Sequence, residues 1–144
     1  MDLRPAQSCD LPALSSLVEQ LGYSPTSIKD LFALYSKGPS MGLWVATHEG
    51  KVVGCLAFHV LKQFHGGNLF RIVSLIVDAA YRRRGVGRLL IELAEKEARE
   101  KGCEAVELTS ALRRKPDGSH EFYRQLGYLD SGACGKCYFR KALV

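Results

Sequence analysis

The chain has no long hydrophobic run. Its most apolar stretch, VVGCLAFHVL at residues 52–61, is far too short to span a bilayer. The opening MDLRPAQSCD has no basic region followed by an apolar segment, so no secretory signal is expected. Internal repeats, low-complexity tracts and linkers are also missing, which favours one domain over residues 1–144. The cysteines number five, odd and scattered, a pattern that suits reduced thiols in a cytoplasm better than a disulfide framework. Cys134 and Cys137 form a CxxC, but no second pair completes a four-ligand zinc site. The pair also leads into an expected strand, unlike a thioredoxin-like motif at a helix start. No metal is expected, and two incidental thiols near an exposed turn are the simpler reading. Two well-known phosphate loops are absent as well: the P-loop has no match, and the dinucleotide pattern G-x-G-x-x-G fails at Leu90.

What is present is the composition of a soluble globular protein, 47% apolar and 24% charged, with a formal net charge of +5. The excess favours an anionic partner. Much of it sits in one place, YRRRGVGRLL at residues 81–90, where Arg82, Arg83, Arg84 and Arg88 surround Gly85 and Gly87. Arg113–Lys115 adds charge of the same sign, but neither an aromatic platform nor a reader helix accompanies it, so nucleic acid is not the expected partner. A membrane is not expected either.

Element by element, a short strand around Leu3 precedes a helix in which Leu11, Leu14, Leu17, Val18 and Leu21 recur at helical spacing. Ser8 or Asp10 is the expected cap and Gly22 the stop. Ser24–Pro25 opens a second helical segment with Ile28, Leu31, Phe32 and Tyr35 on one face. Leu43–Thr47 and Lys51–Leu61, separated by His48-Glu49-Gly50, predict a hairpin. His65–Asn68 is a turn or loop, and Phe70–Val77 reads as a buried central strand. The clearest helix is Val86–Lys101, with an apolar stripe of Val86, Leu89, Leu90, Leu93, Ala94 and Ala98. Glu92–Lys96, Glu95–Arg99 and Glu97–Lys101 are its expected ion pairs. A strand at Glu104–Thr109, a polar loop at Arg113–Gly118, a short helix at Ser119–Leu126, and strands from Tyr128 and over Lys136–Leu143 complete the chain. The expected class is α/β (α+β), a mixed central sheet with helices on both faces.

The basic segment joins a buried strand to the start of the best helix. First-turn amides there lack helical partners and the helix dipole adds partial positive charge. Glycine bares those amides and arginine supplies attraction around them, so a diphosphate suits the cradle. A solvated basic loop with a glycine turn is the plainer alternative.

Arg82-Arg83-Arg84-Gly85-Val86-Gly87 matches the R-x-x-G-x-G acyl-CoA motif of the GNAT superfamily of N-acetyltransferases. The strand Ile72–Val77 before it, and Ala105–Thr109 and HEFYRQLGY (His120–Tyr128) after it, stand in the order that the family has. LRPAQSCDLPAL also resembles the family's first strand and helix, so the likeness covers nearly the whole chain. Among subfamilies, RRKPDGSHEFYRQLGY is similar to small-molecule amine and aminoalkylphosphonate acetyltransferases.

The resemblance implies a sheet of six or seven strands splayed between the fourth and fifth, flanked by about four helices. It implies acetyl-CoA as co-substrate and a small-molecule primary amine as acceptor, with direct attack of the amine on the thioester. Leu75, Ile76 and Val77 would offer backbone groups to pantetheine and thioester. Amides of Arg84, Gly85, Val86, Gly87, Arg88 and Leu89 would hold the diphosphate, with the Arg82, Arg83 and Arg88 side chains in reach. Tyr123 matches the tyrosine that protonates the leaving thiolate and borders the cofactor.

The base is not given by the likeness. Many relatives carry glutamate in the strand before the loop, whereas this one offers Arg71 and Ser74; Glu107, His59 and His65 are the candidates here. The asparagine that the family often has before its last helix is missing from Arg113–Gly118. A non-catalytic acyl-CoA-binding or sensing domain of the same fold is therefore the rival reading. Phe32, Tyr35, Trp44 and Phe64 are expected mostly as core, with an acceptor pocket as their alternative. Homodimerisation, common in the family, is left open.

Overall fold

The computed structural model describes residues 1–24 and 27–143. Pro25, the expected opener of the second helix, lies outside the described residues. The chain packs as two compact units, Met1–Leu108 and a smaller one from Thr109 onward.

The first unit is a five-stranded sheet in the order β1 (Asp2–Pro5), β2 (Met41–His48), β3 (Lys51–Leu61), β4 (Asn68–Val77) and β5 (Cys103–Glu107). The first four strands run antiparallel to their neighbours, and β5 lies parallel to β4. Among its described residues the α-helices are α1 (Leu11–Gln20), α2 (Ile28–Tyr35) and α3 (Val86–Glu100). Alternation along β3 sorts them onto two faces. Gly54 faces α3, and a β-carbon there would lie 3.0 Å from Val86 Cγ1 and 3.3 Å from Leu90 Cδ1. The next residue, Cys55, faces the other way, into a cluster with Leu14 and Leu17 of α1, Val45 and Ile76. Burial pushes its thiol up to about 12. Phe58 and Phe70 stack on the α3 face with ring centroids 4.3 Å apart.

The helix expected at Val86–Lys101 ends one residue earlier, and its stripe of Val86, Leu90, Ala94 and Ala98 is buried as the spacing requires. Leu89 is the exception, exposed on the flank of the stripe. Of the expected ion pairs, Lys101–Glu97 forms at 3.6 Å. The helix also pairs Arg88 with Glu92 at 3.1 Å and Lys96 with Glu100 at 4.0 Å.

Asp10 precedes α1, but its carboxylate does not cap that helix. It turns back to take Gln7 N–H at 2.7 Å and both Arg4 terminal nitrogens, at 2.7 and 2.9 Å. The carboxyl is buried, and the Arg4 hydrogen bonds hold it below the usual carboxylate range. A carboxylate so favoured stabilises the fold above its unfolded value, near pH ~4, and loses that contribution as pH falls through its lower folded value. Asp10→Asn should therefore cost about 2 kcal/mol at neutral pH. Urea melts of the two proteins should converge on acidification to about pH 2; a gap that persists there would refute the assignment.

The second unit holds a 3-10 segment at Leu112–Asp117, where a polar loop was expected, and α4 (Ser119–Gln125). The sheet of six or seven strands is not found: five strands are present among the described residues, and none follows Glu107. The strands expected from Tyr128 and over Lys136–Leu143 are replaced by local winding. Cys134 N–H donates to Asp130 O, Gly135 N–H to Gly132 O and Gly132 N–H to Lys136 O. Gly132 and Gly135 adopt positive φ to make those turns. Residues 131–143 are exposed throughout, so alternation there meets no partner ladder that would make it a strand. Among the described residues no helix is long and apolar enough to cross a membrane.

Candidate active site

The site is built on β4 and the loop that follows it. Register between β3 and β4 slips between Ala57 and Phe58, leaving Val73 as an unpaired extra residue, exposed to solvent. Such a bulge bends a strand. The β4–β5 ladder ends at Arg71 opposite Glu107, while β4 continues to Val77. From residue 72 onward, the edge of β4 away from β3 is open.

Which backbone groups meet that opening follows from the antiparallel ladder. Asp78 N–H donates to Val53 O at 2.9 Å, so every second residue, Ile76 and Ser74, turns its amide and carbonyl toward β3. Leu75 and Val77 turn theirs to the opening. Of the three residues expected to offer backbone groups, Ile76 thus spends its own within the sheet. The Val77 carbonyl accepts from Arg82 Nε at 3.3 Å.

The loop then narrows onto α3. Asp78 accepts from Ala80 N–H at 3.0 Å, and the Gln20 side chain accepts from Ala79 N–H at 2.9 Å, tying the loop to the end of α1. Arg83 and Gly85 both adopt left-handed φ, 62° and 82°. Glycine does so without strain, but arginine does not. Backbone strain of this kind clusters at functional sites. Among the described residues no side chain caps α3. Its first helical bond runs from Leu89 N–H to Gly85 O at 3.1 Å, so Leu89 has no bare amide to offer, and Val86, Gly87 and Arg88 have no helical acceptors. A β-carbon at Gly85 would meet nothing within 4 Å, so the space beside this turn is clear. These residues fit a diphosphate: bare amides, a helix start and exposed arginines converge. The Arg84 guanidinium lies 5.2 Å from the Tyr81 ring, which also receives Lys51 at 5.7 Å.

The candidates for proton transfer stand elsewhere. Arg71 and Glu107 face each other across the last rung of the parallel ladder, Nη1 to Oε1 3.0 Å. His59 is the register partner of Arg71 on β3, and its Nε2 lies 2.8 Å from the Tyr35 hydroxyl on α2. Burial raises that hydroxyl's pKa. A polar row of His59, Arg71 and Glu107 thus crosses three strands, with Tyr35 bonded at one end. His65 is exposed in the loop between β3 and β4. The row joins residues 24 and 36 positions apart, and no local pattern announces it. A cleft of about 330 Å³ is walled by Tyr35, Trp44, Phe58, Glu97 and Lys101. Phe32 packs on the core, and Phe64 is fully exposed.

In the second unit, Tyr123 lies on α4, its ring 5.1 Å from Phe122 and 6.2 Å from Tyr128 in edge-on contacts. Burial raises its phenol pKa, opposed by the nearby charge of Arg114.

Residues 11–128 match the model of the acetyltransferase (GNAT) family. Over 136 residues the chain is 30% identical to an aminoalkylphosphonate N-acetyltransferase of Salmonella typhimurium, covering 90% of this chain and 86% of that protein. The fold is similar to a solved transcriptional regulator from Bacillus halodurans (TM-score 0.80, 25% identity, 96% of this chain and 99% of that one). It is also similar to glucosamine-6-phosphate N-acetyltransferase from Arabidopsis thaliana (TM-score 0.80, 20% identity, 99% and 98%), a likeness of fold alone. With the family's motif standing at the start of α3 and the family model spanning most of the sequence, this chain belongs to the GNAT acetyltransferase family and is an acyl-CoA-dependent N-acetyltransferase.

Proposed function

We propose that the protein acetylates a primary amine of a small molecule by direct attack on the thioester of acetyl-CoA. The observation that carries this reading is the open edge of β4 leading into the bare amides of α3. Support for a small acceptor comes from the Salmonella relative, named for aminoalkylphosphonates.

Acetyl-CoA supplies an activated acetyl group. The chain's own part begins with Val86, Gly87 and Arg88, whose N–H groups hold the diphosphate, while Arg82 and Arg83 add charge beside it. Gly85 keeps the approach clear. The Leu75 and Val77 backbone groups line the pantetheine path, and the amide facing the opening hydrogen-bonds the acetyl oxygen as negative charge grows on it. Tyr123 gives its phenolic proton to the departing sulfur. Glu107 takes the proton that a protonated amine must lose before it can attack. The splay between the fourth and fifth strands serves as the passage in which amine and thioester meet.

The test is thiol release from acetyl-CoA with a panel of amines: aminoalkylphosphonates, amino acids, polyamines, aminoglycosides and peptide N-termini. Turnover with small amines and none with peptides is expected. Turnover confined to peptides, or acetyl-CoA binding without turnover on any amine, would overturn the reading.

A further inference from the structure

We propose that Arg71 selects acceptors that carry an acidic group, and that this group, by taking Arg71, releases Glu107 to receive the amine's proton. The inference rests on the reading of the protein as a small-amine acetyltransferase, and it assigns the residue that sets its specificity.

The Arg71–Glu107 pair has an unusual place. It occupies the last rung of the β4–β5 ladder, two residues before the Val73 bulge, where the strands part. Strand alternation puts Arg71, its register partner His59 and Glu107 on one face, where Tyr35 of α2 bonds His59. A cation therefore stands at the inner end of the opening, ringed by groups able to hydrogen-bond.

The pair is also loosely made. A guanidinium offers five N–H donors in a planar fork, and the pair is closed by one contact, Nη1 to Oε1 at 3.0 Å. Both side chains keep about a third of their surface in solvent, 34% and 32%, so neither is locked by deep burial. A carboxylate or phosphonate that engages two parallel N–H groups outcompetes a single contact. Exchange of one anion for another conserves the charge balance around Arg71.

The consequence is chemical. While Arg71 holds it, Glu107 Oε1 is taken up by the guanidinium and is not free to meet the amine. Once the acceptor's own acid group replaces Glu107 on Arg71, that oxygen is free to face the ammonium. It then takes one proton from the ammonium, giving a neutral carboxyl and a neutral amine with its lone pair free. Binding the right class of acceptor thus arms the base.

The experiment compares matched amines, 2-aminoethylphosphonate and β-alanine against propylamine, by thiol release from acetyl-CoA. The native protein should favour the acidic amines by about tenfold or more in kcat/KM. Arg71→Gln should collapse that ratio to near one, through a raised KM for the acidic amines. Arg71→Lys should restore part of it, since lysine keeps the charge and loses the fork. Glu107→Gln should lower kcat and, with the competing anion gone from Arg71, lower KM for the acidic amines rather than raise it. Acetyl-CoA affinity, measured by calorimetry, should be the same in all three variants and reports that they fold. Equal native rates on acidic and neutral amines, or an equal loss on both in Arg71→Gln, would overturn this proposal alone. Normal acetyl-CoA binding with no amine acetylated would overturn the small-amine reading, and the proposal with it.

Discussion

Tyr123→Phe should lower kcat by about 100-fold or more and leave acetyl-CoA affinity within about threefold. The substitution removes one hydroxyl and keeps the ring, so the edge-on contacts to Phe122 and Tyr128 survive and α4 retains its packing. What disappears is a proton donor. Burial raises the phenol's pKa above its ordinary 10, which keeps the group in its donating form throughout the neutral range. The sign matters for the pH profile. A raised pKa moves any loss of the acid toward more alkaline pH, so kcat should show no decline attributable to Tyr123 below about pH 10. Stopped-time thiol assays from pH 6 to about 10.5 would show this, and unchanged turnover in the Phe variant would remove Tyr123 from the mechanism.

The second large effect is expected at Gly85. Valine there should raise the acetyl-CoA dissociation constant about 100-fold. Nothing lies within 4 Å of the missing β-carbon, so crowding within the protein is not the cause. The cause is the φ of 82°, which a β-branched residue adopts only at a cost, and which sets the aim of the three amides that follow. A valine side chain would also occupy the open space in front of them. Asparagine tolerates left-handed φ far better, so Gly85→Asn should regain a good part of the affinity. Binding isotherms for the two variants separate backbone from bulk. Equal and small losses in both would mean that the conformation at Gly85 does not matter to the cofactor.

Much of this fold is legible in the sequence because it rests on local patterns. The stripe along α3 and the glycine-marked hairpin between β2 and β3 need only neighbours within a few residues. The Arg/Gly loop is legible for the same reason: its chemistry is contiguous. Contacts made over long separations are not legible. Nothing near Arg71 announces Glu107, and nothing near Tyr35 announces His59, because each meeting depends on strand register. The φ of Arg83 is equally silent, since arginine has no preference for that conformation and takes it only under constraint from the loop around it. At the other end of the chain, Tyr138 and Phe139 look like strand residues by type. Strand character belongs to pairing, and the glycine-turned stretch before them offers none.

The additional residue at Val73 reverses the phase of its strand. Ahead of it Phe70 and Ile72 share the α3 side, whereas past it Leu75 and Val77 do, and Arg71, Ser74 and Ile76 come to look the other way together. Deleting Val73 would restore regular counting and leave every later side chain on its present face, while taking away the bend. Residue 73 thus contributes length and curvature rather than a face, and pressing it flat into the ladder, not removing it, is what would turn the later side chains over.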